Sequence, residues 1–175
     1  QSARINSKAA IDATFATHEK LIVFVTQKNK RIDNPGPRDM YSMGTVCSIR
    51  RVVKNSEGEY SLSAEGISRV YIKNFTQLEP FLAAEIEEIP DLFEKTDQTE
   101  ALVRTVKEQL RHFLELVGNP ILDFSVSNWS IFVNTEDPNQ LVNSICQIVD
   151  FKVIDKQQIL EMTSTVERLQ HVAEL

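Results

Sequence analysis

The sequence predicts an α+β protein, and three observations predict it. From Gly44 to Phe75 apolar residues recur at a period of two and read as three successive strands joined by turns. After Pro90 the period changes to 3.6 and holds to the end of the chain. Strands gathered in one half and helices in the other exclude an alternating βαβ order. The boundary falls at residue 90, giving a β-rich subdomain over 1–90 and a helical subdomain over 91–175.

Asn6 or Ser7 is placed to cap a first helix reaching about Glu19, with Ala10, Ile11, Thr14 and Phe15 on one side. Leu21 to Thr26 (LIVFVT) is short, apolar and β-branched, as a buried strand requires. Lys28 to Met43 holds two prolines, a glycine and mixed charge, so it reads as a long loop. Loops of that length in ordered domains usually carry function.

In the meander, Cys47, Ile49 and Val53 alternate with solvent-tolerant residues, and Tyr60, Leu62 and Ala64 alternate with Ser61, Ser63 and Glu65. Asn55 to Gly58 supplies the turn between them. Gly66 is a bulge or tight bend, Ile67 to Lys73 a third strand, and Pro80 to Ile89 another.

In the second half, Leu102, Val106, Leu110, Phe113 and Val117 follow helical spacing. Asp97 and Glu100 are placed to cap the start of this helix, and Gly118 and Pro120 its end. Asp137-Pro138 opens another helix, with proline in its favoured first position and Leu141, Val142 and Ile145 along one face. Asp155 with Gln158, and Ser164 with Glu167, have capping-box spacing. Ile89 to Thr96 joins the halves. Leu92 and Phe93 are its apolar pins, and the joint is expected to act as a hinge.

Composition narrows the function. The 175 residues are 42% hydrophobic and 25% charged, an ordinary globular balance. With 19 basic against 25 acidic residues the net charge is −6, which counts against a nucleic-acid partner. No apolar run approaches the roughly 20 residues of a membrane span, so no membrane partner is expected. Two distant cysteines make no disulfide framework and read as buried thiols of a reducing compartment.

Motifs that carry chemistry are not found. There is no phosphate-binding loop, and His18, His112 and His171 stand apart from one another and from cysteine. The acidic run from Glu85 to Glu100 reads as a blunted sheet edge and solvated linker, not a metal site. Cys47, placed inward on a strand, reads as core, not as a nucleophile. No catalytic residue, cofactor or metal is expected in this chain. What remains favours protein contact: Met40, Tyr41 and Met43 in the long loop, with Trp129 and Phe132 in the apolar segment 121–133 second.

Three clusters carry a family resemblance. Gly44-Thr45-Val46, the Glu57-Gly58 turn and Glu65-Gly66-x-x-Arg69 resemble the amino-terminal domain of the Lon ATP-dependent proteases. Asp137-Pro138 with Leu141, then Asp155 to Met162 and Glu167-Arg168-Leu169, resemble the end of that domain. Gln27-Lys28 with the following proline loop and Tyr41 fits as well.

The resemblance spans nearly the whole chain in order. It implies a PUA-like, six-stranded pseudo-β-barrel followed by a helical subdomain. The family starts with a strand segment before the first helix, so a barrel short of one or two strands is expected here. The implied role is non-catalytic recognition of unfolded or damaged proteins, in the cytoplasm of a bacterium or the mitochondrial matrix. The parent would be a hexameric protease using ATP, magnesium and a Ser-Lys peptidase. The alternative role is assembly of that hexamer.

Overall fold

The computed structural model describes residues 5–56, 59–92, 95–117 and 132–175. The chain divides into two compact units, Gln1–Pro90 and Asp91–Leu175.

The first unit holds α1 (Ile5–Phe15), β1 (Leu21–Gln27), β2 (Met40–Lys54), β3 (Tyr60–Gln77) and β4 (Ala83–Ile89). The strands form one antiparallel sheet in chain order, with β1 and β4 at its edges. This is the α+β class that the change of period predicts. Helix α1 begins ahead of the expected caps at Asn6 and Ser7, and it ends at Phe15, not near Glu19. There the Thr17 hydroxyl donates to the Thr14 carbonyl and accepts from the Lys20 amide, closing a turn in place of another helical one.

β2 and β3 differ from the predicted strands for a physical reason. Val46 pairs with Ser68 and Cys47 with Gly66, so Ile67 is an extra residue in a continuous β3. Gly66 flanks this bulge, and the expected third strand is the second half of β3. A second bulge falls at Arg50, because Ile49 pairs with Ala64 and Arg51 with Ser63. One extra residue reverses which parity faces inward. Hence Val52, not Val53, joins Ile49, Leu62, Tyr60, Ile22 and Ile11 in a small core, and Val53 is exposed. The Tyr60 hydroxyl seals that core by meeting both carboxylate oxygens of Asp12 at 2.8 and 3.0 Å, which fixes α1 to the sheet.

Gly44 lies where β1 and β2 approach closely. A Cβ there would stand 2.6 Å from the Phe24 carbonyl oxygen and 2.8 Å from Val25 Cγ2. The β2–β3 turn is closed by Asn55, whose amide donates to the Glu59 carbonyl and whose side chain accepts the Glu59 amide. The predicted turn residues Glu57 and Gly58 lie outside the described residues.

The second unit holds α2 (Asp97–Val117), α3 (Pro138–Ile148), α4 (Val153–Glu161) and α5 (Thr165–Glu174). The cap of α2 is Thr96, whose hydroxyl accepts from the Thr99 amide at 3.1 Å. Asp97 and Glu100 sit in the first turn, where they favour the helix dipole without capping it. Phe93, Gly118 and Pro120 lie outside the described residues, and Leu92 is 59% exposed and no apolar pin. Asp137 caps α3 through the amides of Asn139 and Gln140, with Pro138 in the first turn, and Ser164 caps α5 through the Glu167 amide. α4 starts ahead of the expected Asp155 cap, at Val153, which leaves Asp155 in its first turn. Val106, Leu110, Phe132, Leu141, Val142, Ile145, Ile159, Leu169 and Val172 form one buried core across these helices.

Candidate binding groove

Register decides what the sheet can offer. Val25 lies opposite Gly44, and Gly44 opposite Val70, so all three share a face. Ile72 and Ile86 continue that face across β3 and β4. A third bulge at Lys73, between the pairs Ile72–Ile86 and Asn74–Glu85, turns Phe75 onto the same face opposite Ala84. Of this face Val25, Ile72, Ile86 and Phe75 line a groove, together with Ile11 of α1 and the pair Phe81 and Leu82 before β4.

The result is a groove of about 360 Å³ whose wall is mostly apolar. Asp33 is its one charged lining residue among the described residues. That volume is at the lower end of ligand pockets, enough for side chains and not for a large cofactor. The lining places no histidine or cysteine beside its two hydroxyls, Ser7 and Thr14. Its chemistry is therefore desolvation of apolar side chains.

The sequence-derived contact residues are scattered. Met40, Tyr41 and Met43 are not loop residues, because β2 begins at Met40 and pairs there with Gln27. The loop is confined to Lys28–Asp39, and its ends are tied by the Lys28 amide donating to the Asp39 carbonyl at 2.7 Å. The Gln27 side chain also donates to the Asn29 and Ile32 carbonyls. All three candidates are half-buried, and of them Met40 reaches the groove wall. Trp129 lies outside the described residues. Phe132 is 5% exposed in the helical core, so its apolar area is spent on packing and not on a partner.

Sequence reasoning missed Phe75 and Phe81. Phe75 was hidden by the bulge, which breaks the alternation that would have aligned it with Ile72. A signal for Phe81 was present: Phe81-Leu82 is apolar where a turn into an edge strand is normally polar.

The thiols are not poised for chemistry. Burial pushes the Cys47 thiol up. Burial likewise raises Cys146, against the smaller opposing pull of Arg168 and Lys156. Reactive cysteines need the opposite shift. Among the described residues, no group of three His, Cys, Asp or Glu side chains could hold a metal ion. No described helix is long and apolar enough to cross a membrane.

A family model described as the ATP-dependent protease La (LON) substrate-binding domain matches residues 3–175. The chain belongs to the Lon substrate-binding domain family. It is 35% identical over 167 residues to a Lon protease of Desulfovibrio desulfuricans, covering 95% of the chain and 18% of that relative. It is 31% identical over 163 residues to Lon protease 2 of Thermus thermophilus, covering 93% and 20%. This Lon domain thus spans about a fifth of the length of the curated relatives it matches.

Its fold matches the solved N-terminal domain of a Mycobacterium avium complex Lon protease. The TM-score is 0.79 at 22% identity, over 99% of this chain and 86% of the other. A Lon N-terminal domain protein from Xanthomonas campestris follows at 0.53 and 11% identity, with 88% of each chain covered.

Proposed function

We propose that this domain is the non-catalytic substrate receptor of an ATP-dependent Lon-type protease, and that it holds apolar segments of unfolded or damaged proteins in the sheet-unit groove. The observation that carries this reading is the groove itself: its wall is mostly apolar, and Ser7, Thr14, Asp33 and Asn34 are its few polar side chains. A quality-control receptor must not demand one sequence, and apolar burial is non-directional. ATP, magnesium and the Ser-Lys peptidase belong to the rest of the parent chain, in the bacterial cytoplasm.

Phe81 is half-buried and lines the groove. Phe81→Ser should weaken binding of a fluorescently labelled unfolded polypeptide about tenfold, the equivalent of some 1.4 kcal/mol of lost apolar contact. Anisotropy titration reads this out, and an unchanged Kd in the folded variant would remove the groove from the binding site.

A second reading, assembly of the parent hexamer, has its own observation. The helical unit carries another apolar groove, of about 350 Å³, whose wall includes Leu116 at 72% exposure and Phe113 at 43%. Exposed residues of this size on one rim are what subunit contacts use. On this reading, Leu116→Asp in the full-length protease lowers the hexamer fraction in sedimentation while Phe81→Ser leaves it intact. The reverse pattern counts against it.

A further inference from the structure

The mostly apolar groove holds one charge, and the loop that carries it is tied in place. Within Lys28–Asp39 the Arg31 amide donates to Asn29 Oδ1 at 3.0 Å, and the Gly36 amide donates to Asp39 Oδ2 at 2.9 Å. The Asp39 amide returns a bond to the Gly36 carbonyl at 3.0 Å. These bonds fix the chain on both sides of Asp33, Asn34 and Pro35, the loop residues that line the groove.

The two aspartates of the loop therefore differ. Asp39 spends its carboxylate on the Gly36 amide. Asp33 is exposed, and its carboxylate has no hydrogen-bond or ion-pair partner among the described residues. The loop's cations, Lys28, Lys30, Arg31 and Arg38, do not line the groove, and the Lys28 ammonium donates to the Arg38 carbonyl at 3.2 Å. A second carboxylate adds to the first. Glu88 lies opposite Val70, on the face that Ile72 and Ile86 continue. It too is exposed and has no partner among the described residues. A charge beside a surface that a ligand dries interacts more strongly than one in open water. This side of the sheet is thus complementary to a cation and opposed to an anion.

We propose that Asp33, assisted by Glu88, selects which polypeptide segments the groove takes: apolar segments flanked by lysine or arginine, and not those flanked by aspartate or glutamate. This selection rests on the groove's being the receptor site, where desolvation supplies the affinity and the carboxylates supply the bias.

Three labelled, unstructured peptides share a core of phenylalanine and leucine and differ at one flanking position, which is lysine, glutamine or glutamate. Anisotropy titration with the 175-residue chain should rank them in that order. Each step should be about threefold in Kd, the size of an exposed ion pair. High salt should compress the order, because exposed charges are screened. Asp33→Asn should shrink each step to less than about twofold and leave the Kd of the glutamine peptide unchanged. Asp33→Lys should reverse the order. Asp150→Asn makes the same change of net charge in the helical unit and should leave the order intact; an equal loss there overturns the role of Asp33. An order that survives Asp33→Asn overturns it as well. Phe81→Ser separates failure of the selection from failure of the groove. Equal Kd values that all weaken in Phe81→Ser keep the receptor groove and remove the selection, whereas a glutamine peptide unaffected by Phe81→Ser removes both.

Discussion

Replacing Gly44 with valine is expected to unfold the sheet unit and leave the helical unit folded. Even the first atom of the new side chain has no room, with the Phe24 carbonyl oxygen 2.6 Å, Val25 Cγ2 2.8 Å and Val23 Cγ1 3.2 Å from it. The nearest obstacle is backbone, so no rotamer change relieves it. Relief requires β1 to move off β2 at the Val25–Gly44 pair, which breaks the edge ladder and opens the floor of the groove. Overpacking by a methylene or two costs about 1–3 kcal/mol where side chains can yield. Here a backbone oxygen is struck by a branched residue, so the cost exceeds that range and takes up much of a small unit's stability of about 5–15 kcal/mol. Gly44→Ala should retain the fold with a loss of about 3 kcal/mol. A two-dimensional amide NMR spectrum decides it: resonances of β1 to β4 collapse in Gly44→Val while those of α2 to α5 stay in place. A sheet with unshifted resonances would mean that the register at Gly44 is wrong.

The same strand pair shows what could be read from sequence and what could not. The period of two located the strands of the meander, and the change at Pro90 located the helices of the second unit, because both follow from which face is buried. Asp137 and Ser164 were legible as caps because a single side chain satisfies the exposed amides of its own helix. Asp155 misled because a Glu or Gln three residues on is common inside helices as well, and α4 starts before it.

The candidate site was far less legible. Arg50, Ile67 and Lys73 each insert one residue into a ladder, and each insertion reverses the inward parity beyond it. The apolar face of the groove is assembled across those reversals, so Phe75 falls out of step with Ile72 in the sequence while sharing its face in the fold. Met40, Tyr41 and Met43 were drawn into a loop by the prolines beside them, although Met40 pairs with Gln27 of β1 and Met43 with Tyr71 of β3.

Truncation of Leu141 should be the most damaging conservative change in the helical unit. Leu141 has 0% exposure and sits on α3 within the cluster that joins Val106 and Leu110 of α2 to Ile159 of α4 and Leu169 of α5. Leu141→Ala loses both the transfer energy of the removed carbons and the contacts around the cavity they leave, together about 2–5 kcal/mol. Buried neighbours from every side leave little freedom to collapse into the space, which places the expected value near 4 kcal/mol. Urea denaturation followed on α2 to α5 resonances should show a lower midpoint with an unchanged slope. Leu116→Ala, at 72% exposure on the same unit, is the control and should stay within about 0.5 kcal/mol of the parent. The consequence for binding separates the units. Below the new midpoint, Leu141→Ala should hold unfolded polypeptide with the parent's Kd, because its cavity opens in the unit that does not carry the proposed groove. A weakened Kd in the folded Leu141→Ala protein would move substrate recognition onto the helices.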